Sequence, residues 1–182
     1  MSARPTVWTL GHSTRSIDEF VGLLRAHQIS LLVDVRTIPR SRYNPQFNTD
    51  TLAQSLRNAG FQYRHFPELG GLRKPKKDSI NGGWRNASFR GYADYMQTDE
   101  FLNALEELMA DSRLHRAAIM CAEAVPWRCH RSLIADALVI RGWDSRHIMS
   151  ETKADSHQLT SFAHFEKGTL SYPKKNDSPS LF

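Results

Sequence analysis

The sequence predicts a single α/β domain: a mostly parallel sheet of about five strands with helices on both of its faces. Short β-branched apolar runs recur along the chain, and stretches with helical apolar spacing separate them. The run at 29–35 (Ile-Ser-Leu-Leu-Val-Asp-Val) is hydrophobic almost without a break, as a strand covered on both faces must be. Strands that alternate with helices close into parallel sheets through right-handed crossovers.

Taken in order, residues 7–10 (Val-Trp-Thr-Leu), bounded by Gly11, read as the first strand. Ser16 and Glu19 have the spacing of a capping box, and Phe20, Val21, Leu23 and Leu24 supply the stripe of a helix ending near His27. The strand at 29–35 runs into a loop with Arg36, Pro39, Arg40 and Arg42. Thr49 or Asp50 can cap a second helix carrying Leu52, Leu56 and Ala59, with Gly60 placed to end it. Residues 61–65 alternate as a third strand, after which 67–88 dissolves into Gly, Pro, Lys, Arg and Asn.

Helical spacing returns over 91–97 and again from Thr98 through Met109. Residues 117–121 (Ala-Ala-Ile-Met-Cys) read as the buried fourth strand. Pro126 suits the first turn of a helix whose apolar face holds Leu133, Ile134, Ala137, Leu138 and Ile140, up to Gly142. Residues 145–149 add a short fifth strand. One domain is therefore expected over 1–150, with 151–182 as a polar, loosely held extension that includes Pro173 and the lysines after it.

Composition narrows the function. With 182 residues, 40% hydrophobic and 24% charged, the chain can bury a sizeable core and belongs to neither the disordered nor the fibrous classes. No apolar run approaches the roughly eighteen residues of a membrane span, and the N-terminus lacks the layout of a secretory signal, so a cytoplasmic protein without membrane contact is expected. Two cysteines are too few for a disulfide scaffold. A net charge of +5 favours anionic partners, either phosphorylated small molecules or nucleic acid. No cofactor is called for, and nothing in the sequence specifies an oligomeric state.

Parallel sheets bind ligands beyond the carboxyl ends of their strands. There this sequence places Gly11, His12 and Ser13, then Asp34 and Arg36, then His65, then Cys121 and Glu123, and finally His147. Glu123, two residues after Cys121, is expected at a core boundary, held ionised by Arg36, Arg131 or helix N–H groups. It is a candidate general acid or base, although the same placement suits a structural ion pair. His12 could assist it. Cys121 reads more readily as a small buried hydrophobe, whereas Cys129, near a helix N-terminus beside Arg128, His130 and Arg131, is better placed to ionise. The two could form a redox pair, although an eight-residue separation matches no common dithiol motif. No Cys-x2-Cys signature is present, and no metal is expected.

Arg36, Arg42 and Arg131 are candidate anion holders, because forked guanidinium groups match phosphate and carboxylate geometry. Arg40 reads as solvated. The stretch 69–92 interleaves Lys74, Lys76, Lys77, Arg85 and Arg90 with Trp84, Phe89 and Tyr92. Single-stranded nucleic acid is bound by that combination, and a solvated lid over the sheet edge would look the same.

Together, the run from Thr9 to Ser13, the run from Leu32 to Arg36 with Pro39 and Ser41, Leu69 with Gly70 and Gly71, and Met120 to Glu123 followed by Cys129, His130 and Arg131 resemble the domain of unknown function family 488 (DUF488). The resemblance spans about residues 8–148. It implies a Rossmann-like three-layer fold and marks Gly11, His12, Ser13, Asp34, Arg36, Cys121, Glu123, Cys129, His130 and Arg131 as signature positions, without assigning a reaction. A looser likeness is to rhodanese-type domains, which share the Asp-Val-Arg strand end and a cysteine loop entering a helix, although the stretch 121–131 lacks their compact loop. The reading that follows is an enzyme for an anionic substrate, with Glu123 handling protons and Arg36, Arg42 and Arg131 holding the anion. The alternatives are a nucleic-acid-binding module using residues 67–92, or a cysteine-based redox or metal switch.

Overall fold

A computed structural model describes residues 4–174. The expected α/β layering is present. Strands β1 (Thr6–Gly11), β2 (Leu31–Asp34), β3 (Gln62–His65), β4 (Ala117–Cys121), β5 (Asp144–Ile148) and β6 (Ala154–Ser156) form one sheet in the order β3-β2-β4-β1-β5-β6. All pairings are parallel except that of β6 with β5.

Alternation along each strand sends residues to opposite faces and so divides the core in two. Trp8, Leu10, Leu32, Ala118 and Met120 pack beneath α1 (Ile17–Ala26) and α2 (Thr49–Asn58). Val7, Leu31, Val33, Ile119 and Cys121 face α3 (Ala87–Tyr95), α4 (Asp99–Leu114) and α5 (Arg131–Val139). Strands β1 and β4 are neighbours, yet the helices that follow them, α1 and α5, leave to opposite faces. A crevice opens at such a divergence in any parallel sheet.

Local signals fare unevenly. The Ser16–Glu19 capping box is formed on both sides. Helix α2 is preceded by Asn48 instead of being capped by Thr49 or Asp50, and Asn48 spends its side chain on the Ser41 N–H, 2.7 Å away. Pro126 opens a separate 3-10 turn, Pro126–Arg128, and α5 begins only at Arg131. Helix α3 starts earlier than its apolar spacing indicates, because the Asn86 side chain accepts the N–H groups of Ser88 and Phe89.

The largest departure is the segment after Glu151, which is not loosely held up to the last described residue. It supplies β6, then a hairpin of β7 (His164–Glu166) and β8 (Thr169–Ser171). Tyr172 is fully buried, donating from its hydroxyl to Asp136 at 2.8 Å and from its N–H to Asn81 at 2.9 Å. Residues 175–182 of that extension lie outside the described residues.

The stretch 73–82 is likewise anchored without regular structure. Buried Asp94 accepts from the Lys76 N–H (2.8 Å), the Ser79 hydroxyl (2.6 Å) and the Asn81 amide (2.8 Å). Trp84 turns inward, its ring 4.9 Å from Phe89, 4.8 Å from Phe162 and 5.4 Å from Tyr172. Tyr92 is buried, so the aromatics expected to stack on bases are mostly occupied with one another. No helix of the described residues is long and apolar enough to cross a membrane.

Candidate active site

Two adjoining chambers occupy the crevice beyond β1, β2 and β4, of about 420 and 480 Å³. They share Arg36, Ile38, Ala122 and Glu123. The smaller is walled by Thr37, Leu72, Phe89, Tyr92, Cys121, Arg128, Cys129 and His130, the larger by His12, Ser13, Arg40, Ser41 and Asn44. Ile38 and Leu72 are exposed apolar side chains on the rim of the first, and Leu72 holds a positive φ of 55°, a strained setting for a leucine.

The walls are brought together by close backbone approach. A Cβ on Gly11 would lie 1.8 Å from the carbonyl oxygen of Glu123, so only glycine lets the loop after β4 rest against the end of β1. The His12 N–H then donates to the Cys121 carbonyl and the Ser13 N–H to that of Ala122, at 2.9 and 3.0 Å. Gly70 and Gly71 bring the loop after β3 against Thr37 and His130 in the same manner.

Arg131 is the centre of this arrangement. It is 1% exposed, and no carboxylate lies within ion-pair reach of it among the described residues. Its Nε donates to Cys121 Sγ at 3.0 Å, one Nη to the Thr9 hydroxyl at 3.1 Å and the other to the Glu123 carbonyl at 2.6 Å. A buried guanidinium surrounded only by neutral acceptors is costly, and a negative partner must offset it. The nearest side chains able to supply that charge are the thiols of Cys121 and Cys129.

The two buried thiols divide the task. Burial pushes the Cys121 thiol well above its ordinary value. Burial opposes ionisation of Cys129 as well, but there Cys121, the Arg131 guanidinium and the Arg131 backbone N–H at the start of α5 outweigh it and bring the thiol down to about 6. Of the two thiols, Cys129 is thus the one favoured to ionise and Cys121 the one favoured to keep its proton. His130 adjoins the pair: its Nε2–H donates to the Val35 carbonyl at 3.1 Å, which leaves Nδ1 to accept from the Cys129 thiol, 3.6 Å away, whenever that thiol carries its proton. Burial keeps this imidazole neutral by lowering its pKa.

The other expected residues take different places. Asp34 is fully buried and touches neither chamber. One of its oxygens accepts from the Arg36 N–H (3.1 Å) and Nε (2.8 Å), the other from an Arg36 Nη (2.6 Å) and the Tyr63 hydroxyl (2.8 Å). Its work is to fix Arg36, not to meet a ligand. Arg36 reaches both chambers with its charge largely matched by Asp34. His12 is neutralised by burial and stacks on Phe47 at 4.3 Å. Its Nδ1–H goes to the Ser13 carbonyl at 2.8 Å, and Nε2 faces an Arg36 Nη at 3.3 Å. Its Nε2 lone pair is engaged by the Arg36 guanidinium, which weakens it as a base.

Glu123 is exposed and not at a core boundary, because the chain leaves the strand at Cys121, before the alternation could carry its side chain inward. Its carbonyl, not its carboxylate, contacts Arg131. Arg42 is exposed and lines neither chamber, and Arg131 lines neither because it is buried behind the cysteines. Besides Arg36, the exposed Arg128 lines the first chamber and the exposed Arg40 the second. Among the described residues no group of three or more His, Cys, Asp or Glu side chains is arranged to hold a metal ion. Sequence reasoning missed Thr9 and Tyr63, whose roles depend on contacts across strands.

With this geometry in place, comparison with known proteins adds one finding. The model of a family described as domain of unknown function DUF488 matches residues 16–138, well over half of the chain. The chain belongs to the DUF488 family. The matched segment contains Asp34, Arg36, Cys121, Glu123, Cys129, His130 and Arg131, and it begins after the Gly11 to Ser13 wall. Searches of curated proteins and of solved structures each returned no match.

Proposed function

We propose that this DUF488 protein is an enzyme that acts on an anionic substrate through the thiolate of Cys129. One observation carries the reading: Cys129, with His130 Nδ1 3.6 Å from its sulfur and buried Arg131 two residues on, lines a chamber large enough for a small organic group, and the same surroundings favour its ionisation against burial. The neighbouring chamber, with Arg40, Ser13, Ser41 and Asn44, suits an anion better than an apolar group.

In the proposed cycle the Cys129 sulfur forms a bond to an electrophilic centre of the substrate, and the leaving group departs with its electron pair. Water then attacks the same centre, the bond to sulfur breaks, and the thiolate is restored. The water's proton passes to His130 Nδ1, whose lone pair faces the sulfur because the other ring nitrogen is tied to Val35. Arg131 stabilises the thiolate as nucleophile and again as leaving group.

The test is iodoacetamide labelling at pH 6.5, mapped by mass spectrometry, with inorganic phosphate, pyrophosphate, a nucleoside monophosphate and a short single-stranded oligonucleotide as competitors. The proposal expects label on Cys129, none there in Cys129→Ser, and slowing by at least one anion. A response to the oligonucleotide alone would assign the anion to nucleic acid. Label on Cys121 instead, or no slowing by any anion, would overturn the proposal.

A further inference from the structure

Arg131 reaches the cysteines correctly only if its other donors are also satisfied, and one of them leads away from the cleft. Its Nη1 donates to the Thr9 hydroxyl, 3.1 Å away on β1. A hydroxyl offers its lone pairs cleanly to a cation when its own proton is directed elsewhere. His147 Nδ1, on β5, stands 2.7 Å from the Thr9 oxygen on the far side. From there the chain continues without interruption: His147 Nε2 is 2.9 Å from His157 Nδ1, and His157 Nε2 is 2.7 Å from the Asp136 carboxylate on α5.

Donor and acceptor roles along this chain are fixed from its two ends. Arg131 can only donate, and the Asp136 carboxylate can only accept. With both imidazoles neutral, His157 then carries its proton on Nε2 for the carboxylate, His147 carries its own on Nε2 for His157 Nδ1, and Thr9 donates to His147 Nδ1. Burial holds His147 neutral, its pKa lowered to about 3, which keeps Nδ1 free to accept. Asp136, fully buried, is fixed in turn by the Tyr172 hydroxyl (2.8 Å) and the Thr160 N–H (2.9 Å). Every link is protein to protein, and every bond points toward Asp136.

We infer that Thr9, His147, His157 and Asp136 form a positioning relay that orients the Arg131 guanidinium and thereby sets the charge of Cys129. None of the four touches Cys129, so these are positioning residues and not catalytic ones. The relay also accounts for the burial of Thr9 and His147 on β1 and β5, away from both chambers. It gives the segment after Glu151 a task, since His157, Thr160 and Tyr172 all belong to it.

This inference rests on Cys129 being the thiolate, and the experiment separates the two. The pH midpoint of Cys129 alkylation is measured in wild type, Thr9→Val, Thr9→Ser and Asp136→Asn. Thr9→Val removes the hydroxyl at nearly constant volume, so the thiolate loses its oriented cation. The midpoint is expected to rise by about one pH unit, roughly a five- to sixfold loss of thiolate at the wild-type midpoint, and Thr9→Ser should restore it. Asp136→Asn discriminates by sign. Removing a negative charge would lower the midpoint by Coulomb's law alone, whereas slackening the relay raises it. A merely structural role would lower thermal stability in these variants and leave the midpoint in place. An unmoved midpoint in Thr9→Val and a fall or no change in Asp136→Asn would overturn the relay. A wild-type midpoint near that of a free thiol would instead overturn the thiolate reading on which it rests.

Discussion

Replacing Arg131 by Gln tests the charge balance of the site at its centre. In wild type, a thiol at about 6 is roughly 90% ionised at pH 7. Without the guanidinium, burial has little left to oppose it, and Cys129 should return to at least the ordinary value of about 8.5, where only about 3% is ionised at pH 7. The thiolate population thus falls about 30-fold. A more basic thiolate is also more nucleophilic, with a Brønsted slope of about 0.4–0.5, so each remaining thiolate reacts roughly tenfold faster. The rate at pH 7 should consequently drop only about threefold, too small a change to interpret alone. The informative assay is the full pH profile of iodoacetamide labelling at Cys129, with circular dichroism confirming that the variant is folded. The expected profile moves its midpoint from about 6 to above about 8.5 and raises its plateau about tenfold. A midpoint that stays near 6 would refute the assignment of Arg131 as counterion.

Gly11→Ala should be severely destabilising, by about 3 kcal/mol or more, because the new methyl must displace the Glu123 carbonyl that also accepts from Arg131; a urea midpoint close to wild type would contradict this. Asp94→Ala removes the shared acceptor of the stretch 73–82 and should make the bonds after Lys76 and Lys77 open to trypsin under native conditions, while unchanged cleavage rates would show another anchor at work. Ionisation of Cys129 is linked to folding. Its folded pKa lies below the unfolded one, so its contribution is fully present above about pH 9 and is lost as pH falls toward about 6. The stability gap between wild type and Cys129→Ser should widen by about 3 kcal/mol from pH 6 to pH 9, measured by urea unfolding at each pH. A gap that is flat or narrows with pH would contradict the thiolate.

The fold was legible because its signals are local. The capping box at Ser16, the continuous run into Asp34 and the apolar strand ending at Cys121 each act within a few residues. The extension after Glu151 was not, since polar residues such as His157 and Thr160 are drawn in by Asp136 on α5, a partner far away in sequence. The site was legible as a set of residues but not as a set of roles. Asp34, Arg36, Cys121, Cys129, His130 and Arg131 do converge, yet Glu123 looked like the buried base only while β4 was imagined to run two residues further. Arg131 looked like a substrate anion holder because its burial and its lack of a carboxylate are properties of the packed molecule. Both facts invert the ranking: the proposed function rests on the cysteines, and Glu123 becomes an exposed residue on the shared wall of the chambers.

The most direct test of this account is the pH profile of wild-type alkylation, with the label assigned separately to Cys121 and Cys129 by peptide mapping. The account predicts a Cys129 midpoint at about 6 and a Cys121 that stays unlabelled until well above the range of a free thiol. A Cys129 midpoint at or above about 8.5, or two cysteines that titrate together, would contradict it.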